Sequence, residues 1–217
     1  MQKSEVRHMF KWILTALCTL GSLCVCLPRY VESRKTALDW KFAGTACALP
    51  LAVYGAMHQG GRAWFCVAAI ALSSAADVML EKQFMIGMAL FAAAHVCFLV
   101  WMTGLQRLTA LQPIVWLVLL CIVAVLLYSW RRRIGSMMLP YAAYAALVTL
   151  MGAFAVGMAA DRSLAGVIAA VGGLMFVASD ALVCKGLVMH VDKTHHWITM
   201  GLYYGAQLCL AAGCALR

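Results

Sequence analysis

Asp77 and Asp180 lie inside long apolar runs, whereas Glu5, Glu32, Asp39, Glu81, Asp161 and Asp192 fall in loops or at the ends of such runs. An ionised aspartate at the centre of a membrane helix costs about 2.5–3.5 kcal/mol on insertion scales, so a pair of them is expected to serve function. Removal from water favours the neutral form of a carboxylic acid, and a second carboxylate nearby favours it further on one of the two. One acid can then donate a proton at neutral pH while the other stays ionised as a base. That division suits hydrolysis through an oxocarbenium-like state, and it would serve proton-coupled transport equally well.

Other polar side chains accompany them. Ser73 precedes Asp77 by one turn, Ser179 adjoins Asp180, and Lys41, Tyr144, Tyr203, Tyr204 and Gln207 lie in the same expected half of the membrane, with His95 near its middle. Each has a plain structural alternative. Lys41 could snorkel, the tyrosines could form an aromatic belt, the serines could bond their own helix backbone, and His95 could make one interhelical hydrogen bond. His95 is the one histidine deep in an apolar run. A catalytic zinc usually takes three protein ligands with histidine prominent, so neither a metal nor another cofactor is expected. His190, His195 and His196 fall at a turn and could face lipid headgroups, although adjacent histidines on a helix point about 100° apart.

The elements that must position these residues follow from composition. The 217 residues are 65% hydrophobic and 12% charged, and their mean hydropathy is +0.89. A soluble fold has no place for that much apolar surface. Apolar runs at about 10–27, 38–57, 63–80, 84–104, 112–129, 138–159, 164–188 and 195–215 predict an all-α, polytopic integral membrane bundle of about eight transmembrane helices, one domain spanning 1–217. Short connections force sequence neighbours to run antiparallel and place both termini on one side. The third and seventh helices then run in the same direction. Each aspartate stands four or five residues before a charged exit, Glu81 or Lys185, so at about 1.5 Å per residue the two carboxylates share nearly the same depth. If those two helices pack together, the carboxylates face one another.

The net charge of +9 is spread singly or in short clusters beside apolar runs, which fits headgroup anchors and not a nucleic-acid surface. Seven basic residues (Lys3, Arg7, Lys11, Arg62, Arg107, Arg162, Arg217) fall on the side of the termini and ten on the other, a margin too small to orient the chain. Most of the ten cysteines lie within apolar runs without a Cys-x-x-Cys pair and read as small packing residues. The basic start and apolar stretch up to Leu27 read as a retained first helix, since no small-x-small cleavage site precedes Pro28. Small residues such as Gly166, Gly172, Gly173, Gly201 and Gly205 mark close helix contacts.

The stretches ALSSAADVML (71–80), FMIGMALFAAAHVCFLVW (84–101), GGLMFVASDALV (172–183) and LYYGAQLCLAAG (202–213) resemble the YhhN-type lysoplasmalogenase family, over a match from about Lys41 to the C-terminus. The resemblance implies an eight-helix membrane enzyme that cleaves the vinyl ether bond of lysoplasmalogens to a fatty aldehyde and a glycerophospho-alcohol. Its substrate would be a lysophospholipid met among membrane lipids, and its expected home a bacterial inner membrane. By that resemblance Asp77 and Ser73 match a Ser-x-x-Gly-Asp pattern, and Asp180 and Ser179 a Ser-Asp pattern. Lys41, Phe84, His95, Tyr144, Tyr204 and Gln207 fall on recurrent positions. Ala76 departs from the pattern, standing where the family has glycine.

Three rivals are weighed against this reading. A proton-coupled transporter or lipid carrier would use the same buried carboxylates and break its helices at Gly or Pro in corresponding halves. An intramembrane aspartyl protease would need Gly-x-Gly-Asp, whereas the chain reads Ser74-Ala75-Ala76-Asp77 and Val177-Ala178-Ser179-Asp180. A scaffold would tolerate asparagine at both aspartates.

Overall fold

The computed structural model describes residues 2–32 and 37–217, with side chains described from residue 9 onward. Of the charges counted above, the side chains of Lys3, Arg7, Arg34 and Lys35 lie outside the described residues, as does that of Glu5.

The chain is an all-α membrane bundle. Its helices are α1 (Gln2–Thr19), α2 (Leu27–Glu32), α3 (Ala37–Ala46), α4 (Leu49–Gln59), α5 (Trp64–Lys82), α6 (Phe84–Thr103), α7 (Leu111–Ile134), α8 (Met138–Met158), α9 (Leu164–Val188) and α10 (Lys193–Leu216). By length and apolarity, six stretches among the described residues can cross a membrane, against the eight or so runs expected. Two features account for the lower number. One stretch, Leu111–Asp161, contains both α7 and α8, and the run expected at 38–57 is broken into α3 and α4.

The break has a local cause. Pro50 occupies the first turn of α4, where its missing N–H would otherwise leave the carbonyl four residues back without a partner, so a helix begins there more readily than it continues. Pro28 is accommodated differently. Leu20–Cys26 widens into a π-helical turn that joins α1 to α2, so the first rod runs on to Glu32 instead of ending at 27. The fifth expected run is also longer than its apolar part. α7 continues through Arg131, Arg132 and Arg133, whose cations suit the negative end of a helix, and stops at Gly135, which takes a φ of 60°.

Helix α10 is the hub. Of its most apolar 18-residue window 78% is buried, against 11% for the most apolar window within Leu111–Asp161, and it packs on α9, α4, α5 and α1. Close approach is achieved with glycine. A Cβ at Gly172 would meet Cys209 at 2.8 Å, and one at Gly213 would meet Ala169 at 2.9 Å. α5 packs on α6, α8 on α9, and α7 on α8. At the end of the bundle holding the C-terminus, Arg217 pairs with Asp161 and Gln59 donates to the carbonyl of Cys214. The other end holds the cavity described next.

Candidate functional site

Asp77, five residues before the end of α5, is 1% exposed. Two hydroxyls converge on its Oδ2: Thr45 Oγ1 of α3 donates at 2.5 Å and Tyr203 OH of α10 at 3.0 Å. Lys41 stands one turn before Thr45 on α3, is itself buried, and donates from Nζ to Glu81 Oε1 at 3.0 Å. Its ammonium also lies within electrostatic reach of Asp77. One turn of α3 thus delivers a hydroxyl and a cation to the last turns of α5. This spacing works because residues four apart share a helix face.

Asp180 is held separately. Tyr144 OH of α8 donates to its Oδ2 at 2.6 Å, and His95 Nε2 of α6 lies 3.0 Å from the same tyrosine oxygen and 3.5 Å from the carboxylate. The hydroxyl donates to the carboxylate and accepts from the imidazole, which assigns the proton to Nε2. His95 is buried edge-on against Phe176, and Phe176 in turn packs edge-on against Tyr203. An aromatic wall therefore joins the two carboxylate clusters.

The expected route by which the aspartates meet is corrected. α5 and α9 do not form a packed pair; α10 lies against both. α9 also runs on past Lys185 to Val188, leaving Asp180 eight residues from its end. Asp77 and Asp180 instead line one cavity of about 330 Å³, together with Lys41, Phe84, Tyr144 and Tyr203. All these residues belong to the half of the bundle away from the C-terminus, as expected from the antiparallel order.

The remaining candidates stand behind that wall. Ser179 donates to the carbonyl of Thr199 at 3.1 Å and so ties α9 to α10. Tyr204 reaches the carbonyls of Trp40 and Lys41 at 3.3 Å, and its hydroxyl end takes the space a Cβ at Gly44 would fill. Ser73 and Gln207 are fully buried, and no hydrogen bond of good geometry reaches the Ser73 hydroxyl or the Gln207 amide among the described residues. Residues not singled out from sequence also belong to the site. Thr45 and Glu81 carry the bonds above, and Tyr30 lines the cavity, as do His195 and His196 of the turn cluster expected to face headgroups. The signal for Thr45 was its position four residues after Lys41, and for Glu81 its position one turn beyond Asp77.

The sequence matches the model of the YhhN family over residues 36–214. It is also 30% identical over 189 residues to the lysoplasmalogenase TMEM86B of Rattus norvegicus, an alignment covering 82% of this chain and 75% of the rat protein. No solved structure matches.

Proposed function

This chain belongs to the YhhN family, and on that premise we propose that it is a membrane lysoplasmalogenase-like hydrolase working through Asp77 and Asp180. The observation that carries the reading is that both intramembrane carboxylates open onto one cavity while each is held separately, Asp77 by the Thr45 and Tyr203 hydroxyls and Asp180 by that of Tyr144. A vinyl ether lacks a good leaving group until its β-carbon is protonated. Asp180 supplies that proton. Tyr144, with His95 in line behind it at 2.6 and 3.0 Å, orients its carboxyl, and the proton that Asp77 takes from water returns to Asp180 through the shared cavity before the next turnover.

Protonation leaves an oxocarbenium ion at the carbon bearing oxygen. Asp77, oriented by Thr45 and Tyr203, deprotonates a water that attacks this carbon. The ion's positive charge develops between two carboxyl groups in a low-dielectric cavity, where such stabilisation is strongest. The hemiacetal formed then collapses, its hydroxyl proton passing to the departing glycerol oxygen, to give a fatty aldehyde and a glycerophospho-alcohol. Lys41 is engaged by Glu81, and the pair holds the α3 and α5 ends together around Asp77 while facing the cavity.

The route makes a specific isotopic statement. Hydrolysis in D2O should place one deuterium on the carbon adjacent to the product aldehyde, read by mass spectrometry. Aldehyde without that deuterium would rule out protonation at carbon. A second reading, a proton-coupled carrier, is favoured by the break between α3 and α4 just past Thr45. Proton-driven uptake of a lipid into proteoliposomes, with no aldehyde formed, would select it.

A further inference from the structure

The cavity is divided by polarity across the bundle. Toward α2, α3 and α5 its wall carries Tyr30, Lys41 and Glu81; toward α7 it carries Val123, Leu126, Leu127 and Trp130. On α7 these residues recur every three or four positions, which puts them on one face. Val123 and Leu127 are buried, whereas Ile122, Val125 and Tyr128 on the same turns are exposed. α7 therefore turns one apolar face to the cavity and the other to lipid.

Composition alone does not require this arrangement, because a helix at the edge of a membrane bundle can be apolar all round. What makes it specific is packing. α7 packs firmly on α8, touches α9 only lightly, and forms no packed pair with α6. The α7 face is thus kept apart from the rest of the bundle by the cavity, which Asp180 of α9 also lines.

We propose that the α7 face, centred on Leu127, is the hydrocarbon-chain subsite of a single-chain lipid whose polar headgroup lies toward Tyr30, Lys41 and Glu81. This rests on the reading above that the ligand is a lysophospholipid, and it sets the ligand's direction across the cavity. The occupant follows from the lining. One wholly apolar arm accepts one chain, and a polar group placed there would lose its water without a partner. The opposite arm, with an ammonium, a carboxylate and a phenol, suits a zwitterionic or anionic glycerophosphate end. Leu127 becomes a specificity-determining residue, since a chain laid along α7 must pass it. A headgroup-side residue would affect all chain lengths alike.

The test uses binding, not turnover. The full-length protein in nanodiscs is titrated with saturated 1-O-alkyl lysophosphatidylethanolamines, which contain no vinyl ether, carrying either a hexadecyl or a hexyl chain. Wild type, Leu127→Trp and Leu117→Trp are compared. Leu117 lies on α7 and is 56% exposed, away from the cavity. Filling the arm in Leu127→Trp should cut the preference for hexadecyl over hexyl by about tenfold, as expected when two or so buried methylenes lose their place, while Leu117→Trp keeps it. Leu127→Phe, a milder filling, should give a smaller change in the same direction and covers the case in which the tryptophan variant does not fold. An unchanged preference in both Leu127 variants, an equal change in Leu117→Trp, or no binding of either lipid by wild type would overturn the subsite. A chain-length change without aldehyde release from a vinyl ether lipid would leave the subsite standing and remove the proposed reaction.

Discussion

The two ends of this bundle handle polarity in opposite ways. At the end holding the C-terminus, small residues bring backbones together: a Cβ at Gly55 would strike the Cys214 backbone at 2.7 Å, and Gly213 closes on Ala169. Polar groups there sit at the rim, as in the Arg217–Asp161 pair and the Gln59 bond to Cys214. At the opposite end, Lys41, Thr45, Asp77 and His95 are all buried, and the helices part around a cavity. Dispersion and close packing hold membrane helices together without a hydrophobic driving force between them. The packed end can therefore supply the cohesion that the polar end gives up. Stability and chemistry are separated along the membrane normal.

Variants at the two ends should then fail in different ways. The largest effect is expected from Asp77→Asn, with aldehyde release falling by about 10²–10⁴-fold, the range of general acid–base contributions, while circular dichroism and thermal unfolding in detergent stay close to wild type. Thr45→Val should come next. It removes a hydroxyl from the Asp77 carboxylate but keeps the shape, and losing a hydrogen bond to a charged group, about 1.5–3 kcal/mol, corresponds to a fall in kcat of about 10–100-fold. At the packed end, Gly213→Leu should destabilise by about 1–3 kcal/mol through overpacking, visible as a lower unfolding temperature with kcat and KM unaltered at low temperature. Asp161→Asn should be smallest, within about 1 kcal/mol, because its ion pair with Arg217 is partly exposed. Equal loss of activity and stability from both ends would dissolve the distinction.

How much of this was legible in sequence depends on the kind of signal. Asp77 and Asp180 stood out because a carboxylate inside an apolar run is expensive, and the antiparallel order placed them in the same half of the bundle. Their actual meeting place was not legible. Helix contacts in a membrane are made by apolar and small residues that look alike whether they face a neighbour, lipid or a cavity, so α10 could not be seen to separate α5 from α9. The Lys41–Glu81 pair was missed for a related reason. Forty positions separate the two residues, and Glu81 reads as an ordinary charged helix end. Tyr204 and Gln207 were expected beside the aspartates as supporting residues; both are buried and neither lines the cavity, and Tyr204 bonds the carbonyls of Trp40 and Lys41 instead. The break at Pro50 was readable from proline chemistry, but an uninterrupted apolar run outweighed it. The three arginines ending α7 lie beyond the apolar run at 112–129, because hydropathy ends a run at charge even where cations suit a helix C-terminus.

The central claim is that the two aspartates act together on a vinyl ether within one cavity. Its most direct test is release of fatty aldehyde from a lysoplasmalogen by the purified protein, comparing wild type with Asp77→Asn and Asp180→Asn. The account predicts turnover by wild type and its loss in both variants, with each variant folded and still able to bind the saturated ether analogue. Turnover that survives either substitution, or a wild-type protein that binds the lipid and releases no aldehyde, would contradict it.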